Sequence, residues 1–183
     1  DYTSQIFVRH KTGQLDSSFN EIIENYELAR VITPYGSMLA NNWEFTTTFD
    51  ITDFVQILRD SVEIRAHYSG WSSGFSATLD FEFIEGTPSR DLVKVENIYS
   101  GGFSYNSSSD FENTKLIPKK FLIEANSTNA MVKMASTGHG FDNNQSAAEF
   151  KPIDYFVKID GMQTHTQYNW DADCGENPIY PQG

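Results

Sequence analysis

Strict alternation of apolar and polar side chains constrains this chain more than any other feature of its sequence. Over residues 43–50, Trp43, Phe45, Thr47 and Phe49 fall on one side and Glu44, Thr46, Thr48 and Asp50 on the other. Residues 76–85 repeat the pattern, with Leu79, Phe81 and Phe83 opposing Thr78, Asp80 and Glu82. A period of two is the geometry of a strand with one buried face. Over residues 62–71, Val62, Ile64, Ala66 and Tyr68 alternate with Glu63, Arg65, His67, Ser69 and Trp71, giving a core face and a face able to meet a ligand. Shorter β-branched or apolar runs at 5–9, 27–32, 92–95, 120–124, 130–135 and 155–159 also read as strands. Turn chemistry punctuates them at Thr33-Pro34-Tyr35-Gly36, Ser72-Ser73-Gly74 and Gly86-Thr87-Pro88. One helical spacing stands apart. Phe54, Ile57 and Leu58 recur at i, i+3 and i+4, with Thr52 or Asp53 able to accept the first free amides, which predicts a short connecting helix over 52–59 plugging one end of a sheet. The Gly/Ser/Asn-rich stretch 100–109 reads as a loop.

Many short strands and almost no helix predict an all-β chain built from antiparallel sandwiches or jelly rolls. The pattern restarts after Pro88, so a boundary falls near residues 88–96, dividing the chain into 1–90 and 91–183. Halves of about 90 residues are small for eight-stranded jelly rolls, and the chain is therefore expected to be a fragment with one or both halves incomplete. Charge narrows the partners. Against 25 Asp and Glu stand 13 Lys and Arg, a net charge of −12 with no basic cluster, which disfavours binding to phosphate backbones and hence to nucleic acid. No run approaches the roughly 18 apolar residues of a membrane-spanning helix. The single Cys174 has no internal partner, and with four scattered His it forms no recognisable metal-binding spacing. The four His also lack any recognisable pairing with a Ser and an acid, so serine-hydrolase chemistry is not supported.

The order of several local motifs resembles the peptide-N-glycosidase F family of bacterial amidases that release N-linked glycans from asparagine. The residues that carry the resemblance in the first half are 2–13, Arg30-Val31-Ile32-Thr33-Pro34-Tyr35, Phe49-Asp50-Ile51-Thr52-Asp53-Phe54 and residues 80–88. In the second half they are sparser: Gly138-His139, Ala148-Glu149-Phe150, and Cys174-Gly175-Glu176-Asn177-Pro178-Ile179. The resemblance implies two adjacent eight-stranded antiparallel jelly rolls with the active site in the cleft between them. This chain would start after the first strands of one and stop before the last strands of the other. It also implies that Cys174 pairs with a cysteine further downstream, the alternative being a buried free thiol.

Cleaving a glycosylated asparagine requires a base for water, polarisation of the carbonyl and departure of the sugar-bearing nitrogen. By the resemblance, Asp1 is the catalytic aspartate and Glu149 the second essential carboxylate, with Ser69, Trp71, His139 and Phe150 binding substrate. Ser69 stands where the family has a carboxylate, and the small Ser69-Gly70 pair is expected to leave room for a substituent such as core fucose on the first sugar. Trp71 offers a stacking surface for a sugar face, although a core role is open to any Trp. The implied protein is a monomer acting on N-glycoproteins or N-glycopeptides, without metal or cofactor, in a secreted, periplasmic or cell-surface setting. Two competing functions remain at this point: a glycan-binding or adhesion module that has lost the catalytic constellation, and a copper monooxygenase, against which the absence of any His-x-His or His-His pair argues.

Overall fold

The computed structural model describes residues 2–33, 39–70, 75–138 and 151–173. Among these, β1 (Tyr2–Leu15) and β2 (Glu21–Thr33) form a long antiparallel hairpin, and β3 (Glu63–Tyr68) pairs with the other edge of β1 in the order β2-β1-β3. The hairpin closes at residues 16–20, where the Asp16 carboxylate accepts from the amides of Ser18 at 2.8 Å and Asn20 at 2.9 Å. Those donors favour the ionised form and hold Asp16 below its ordinary value. The predicted strands at 5–9 and 27–32 are thus present within longer elements, and the one predicted over 62–71 is present as the shorter Glu63–Tyr68.

One face of this sheet makes the core. Val8 is fully inaccessible, lies across from Tyr26 on one neighbour and Ile64 on the other, and packs with Leu28 and Phe54. Ile6, Ile51, Ile57, Leu58 and Val95 close around them. The Tyr26 hydroxyl bonds to Glu24, with the Val95 carbonyl at 3.4 Å, and burial followed by the Glu24 bond pushes its ionisation well above the ordinary tyrosine value. The opposite face carries Gln5, Phe7 and Arg9 of β1 opposite His67, Arg65 and Glu63 of β3, as the alternation at 62–71 predicts. There Arg9 pairs with Glu63, and the Arg65 guanidinium lies 5.8 Å from the Phe7 ring centroid.

An irregularity in β2 decides what sits on that polar face. Ile6 pairs with Ala29 and Phe7 with Glu27, so Leu28 is an extra residue without a partner, a β-bulge. In an unbroken strand residues three apart point to opposite faces. The bulge returns Arg30 to the face of Glu27, and the two form an ion pair at 2.5 Å. Sequence alternation does not reveal this, because the slip exists only relative to β1.

The predicted plug is shorter than expected. Thr52–Phe54 is a single 3-10 turn, continued by bonds from the Ile57 and Leu58 amides to the Phe54 carbonyl at 3.0 and 3.1 Å. The acceptor for its first amide is neither predicted residue: Asp50, two positions before Thr52, accepts from the Thr52 amide at 2.9 Å, while Asp53 is engaged by Arg90 at 2.8 Å. Phe54 still points into the core, so the plugging role holds.

A second sheet consists of β4 (Ile153–Ile159), which the sequence predicts, and β5 (Met162–Asn169), which it does not. Asp160 and Gly161 join them at φ 50° and 80°, the left-handed pair of a type I′ hairpin turn. At the end of the stretch 100–109 read as a loop, a helix α1 (Ser108–Asp110) begins and runs on into a π-helical turn, Phe111–Lys115. Ser107 caps it by accepting from the Asp110 amide at 3.1 Å, and Asp110 returns a bond to the Asn106 amide at 3.1 Å. The all-β class stands, with two small antiparallel sheets among the described residues.

Residues 43–50, 76–85, 92–95, 120–124 and 130–135 are described without ladder pairing. Alternation specifies an extended backbone with two faces; a strand also needs a neighbour for its amides and carbonyls. At 43–45 the faces survive without the ladder: Trp43 and Phe45 are half-buried, Glu44 is exposed, and the two rings meet at 5.2 Å between centroids. The turn expected at 72–74 lies outside the described residues, as does most of that at 33–36.

Candidate functional site

At the end of the three-stranded sheet where β1 begins and β3 ends, polar side chains are buried or half-buried together. Thr3 and Gln5 are each less than a tenth exposed. Gln5 donates its amide to Glu27 Oε2 at 2.6 Å, and Arg30 grips the same carboxylate through Nε to Oε1 at 2.5 Å and a terminal nitrogen to Oε2 at 2.8 Å. The Glu27 bond outweighs desolvation and raises the ionisation of Arg30, which stays charged throughout. The other terminal nitrogen of Arg30 donates to the Thr137 hydroxyl at 3.2 Å, and that hydroxyl lies 3.5 Å from the Thr3 hydroxyl. Thr137 belongs to the second half of the chain. A second contact runs beside it: Lys133 donates to the Asp50 carbonyl at 2.8 Å with its ammonium 5.8 Å from the Phe54 ring centroid. The stretch 133–137 is therefore fastened to the 50–54 segment at one end and to the first sheet at the other.

Ser69, the one predicted site residue that is described, completes this seam. Its amide and its hydroxyl both donate to the Thr3 carbonyl at 3.2 Å. Asp1, Trp71, His139, Glu149 and Phe150 lie outside the described residues. Thr3, Ser69 and Thr137 stand two positions from Asp1, Trp71 and His139 in sequence, and Thr3 contacts both of the others. A Cβ at Gly70 would collide with the Tyr68 ring, so that position has to be glycine.

The seam can orient and donate, but it supplies no free base from Glu27, since both carboxylate oxygens are taken. Sequence reasoning missed Gln5, Glu27, Arg30 and Thr137 as members. Arg30 stands in a motif that carried the resemblance, yet its place beside Glu27 depends on the bulge. Among the described residues no three His, Cys, Asp or Glu side chains gather as metal ligands, and no helix is long and apolar enough to cross a membrane.

The fold and the seam define a β-sheet protein whose second half docks on a polar sheet end of its first. Comparison with known families then identifies that second half: residues 104–180 match the family model described as peptide-N-glycosidase F, C terminal. The chain is thereby related to the peptide-N-glycosidase F family through this segment, which holds Thr137 and the β4–β5 hairpin. No curated protein and no solved structure gives a significant match.

Proposed function

We propose that the chain is part of an amidase that hydrolyses the side-chain amide of glycosylated asparagine in N-glycoproteins or N-glycopeptides. The observation that carries this reading is the family match over residues 104–180. The contacts joining Thr3, Ser69 and Thr137 support it, because they bring together the stretches leading to three of the assigned residues. In this reading the two halves, 1–90 and 91–183, are jelly rolls and the cleft lies at their seam.

Asp1 takes a proton from water as the oxygen attacks the amide carbonyl carbon; that proton passes to the nitrogen as the C–N bond breaks, the glycosylamine leaves, and aspartate remains in the peptide. Glu149 orients the substrate across the cleft. Trp71 stacks on a sugar face, His139 and Ser69 meet sugar hydroxyls, and Phe150 lines the wall beside Glu149. The network of Gln5, Glu27, Arg30 and Thr137 holds the stretch bearing Thr137 against the start of β1, so it positions rather than reacts. The enzyme acts as a monomer outside the cytoplasm and needs no metal.

Incubating the full gene product with an N-glycopeptide in ¹⁸O-water, beside Glu149→Gln, tests the reading by mass spectrometry. The expected result is conversion of the glycosylated asparagine to ¹⁸O-labelled aspartate, lost in the variant. Glycopeptide that is bound but left intact would replace the amidase with a glycan-binding module.

A further inference from the structure

A cavity of about 310 Å³ opens in a part of the chain to which neither the resemblance nor the seam assigns a role. Its walls include Asn97, Tyr99, Phe103, Thr114, Lys115 and Lys119, and no carboxylate lines it. In a chain with 25 acidic and 13 basic residues, the lining holds two lysines and no acid, with Asp110 behind it near enough to interact with Lys115. The walls are fastened to one another. The Tyr99 hydroxyl donates to the Ile117 carbonyl at 2.6 Å, and Asn97 donates to the Asn25 carbonyl of β2 at 2.9 Å. The Lys119 ammonium sits 5.0 Å from the Tyr99 ring centroid, so cation and aromatic surface are offered together. Phe103 is backed by Phe111 at 6.2 Å, and Phe111 by Tyr105 at 4.7 Å, which gives the aromatic wall a second layer.

We infer that this cavity binds an acidic monosaccharide unit through its carboxylate, on the two lysines, and its ring, on the aromatic wall. Aromatic faces take the apolar face of a sugar, and an ammonium takes an anionic oxygen by charge-assisted hydrogen bonding. The volume lies at the lower end of the roughly 300–1,000 Å³ of small-molecule clefts, which suits a single unit rather than a chain. A polyphosphate of similar size suits the site less, since the net charge of −12 repels each added negative charge while only two cations answer it. The inference uses no seam residue and stands whether or not the seam hydrolyses anything.

Calorimetric titration of the full chain with glucuronate, glucose and acetate separates the contributions, because glucuronate shares its ring with glucose and its charge with acetate. Saturable binding of glucuronate is expected, with glucose and acetate each at least about tenfold weaker, and with affinity falling as salt rises. Lys115→Gln/Lys119→Gln is expected to weaken glucuronate about tenfold while leaving the circular dichroism spectrum unchanged. Lys119→Gln alone provides a milder check with the same sign. Glucose binding as well as glucuronate would overturn the role of the lysines, and acetate binding as well would overturn that of the aromatic wall. Absence of saturable binding by glucuronate would overturn the site altogether.

Discussion

Replacing Arg30 by Met tests the seam at its centre. The substitution keeps much of the side chain's length and removes every donor that Arg30 directs at Glu27 and Thr137. The two charged side chains are only 14% and 17% exposed, so Glu27 would keep its charge in a poorly hydrated place with Gln5 as its remaining side-chain donor. Breaking a fully buried pair costs about 3–5 kcal/mol and a surface pair about 0–1 kcal/mol. The exposure places this pair between those limits, at about 2 kcal/mol, equivalent to roughly 4–8 °C in Tm for a chain of this length. Urea unfolding of wild type, Arg30→Met, Glu27→Gln and the double variant gives the coupling directly, with an expected value of about 1–2 kcal/mol. Glu27→Gln should be partly rescued by Arg30→Met, because the double variant buries no unpaired charge. A coupling below about 0.3 kcal/mol would refute the argument that the bulge exists in energetic terms to bring these two groups together.

Three further outcomes follow from other parts of the molecule. Val8→Ala, at the only fully inaccessible large side chain among the described residues, is expected to cost about 2–3 kcal/mol in chemical unfolding, from lost methyl burial plus the cavity left behind. Gly161→Ala meets no atom within 4 Å but must adopt φ near 80°, so it should cost about 1–2 kcal/mol through backbone strain alone, read as a lower Tm. Tyr26 stays protonated in the folded chain after an unfolded tyrosine has ionised, so the unfolded state binds fewer protons above pH 10 and stability falls as pH rises through that point. Tyr26→Phe should flatten that alkaline decline in a series of unfolding curves, and an unchanged slope would count against the assignment.

What the sequence made legible was the face each residue takes, more than the partner it finds. The alternation at 62–68 correctly separates Ile64 from Glu63, Arg65 and His67, because burial against Val8 and exposure of charge act within one strand. The same periodicity at 43–50 predicts a strand that is not paired, since hydrogen-bond partners come from elsewhere in the chain. Two missed elements did carry local signals: Asp160-Gly161 is the dipeptide of a two-residue hairpin turn, and Ser107 followed by Asp110 is a helix-start signature. Composition hid the second, because a Gly/Ser/Asn-rich stretch reads as a loop before its caps are considered. At the seam, Ser69 was legible through a motif, whereas Gln5, Glu27, Arg30 and Thr137 come together only through strand register and a contact between residues 107 positions apart.

The unpaired Leu28 also sets how β2 tolerates changes in length. On the hairpin side of it the even-numbered Tyr26 faces the core, and on the seam side the odd-numbered Ala29 does, across from Ile6. Deleting one residue at this point would remove the slip and leave both halves of the strand facing as they now do, at the expense of one buried leucine. The same deletion nearer either end of β2 would turn over every side chain between the cut and position 28 unless the slip moved to meet it. The strand thus holds one spare residue, and position 28 is where a shorter version of this protein would have to give it up.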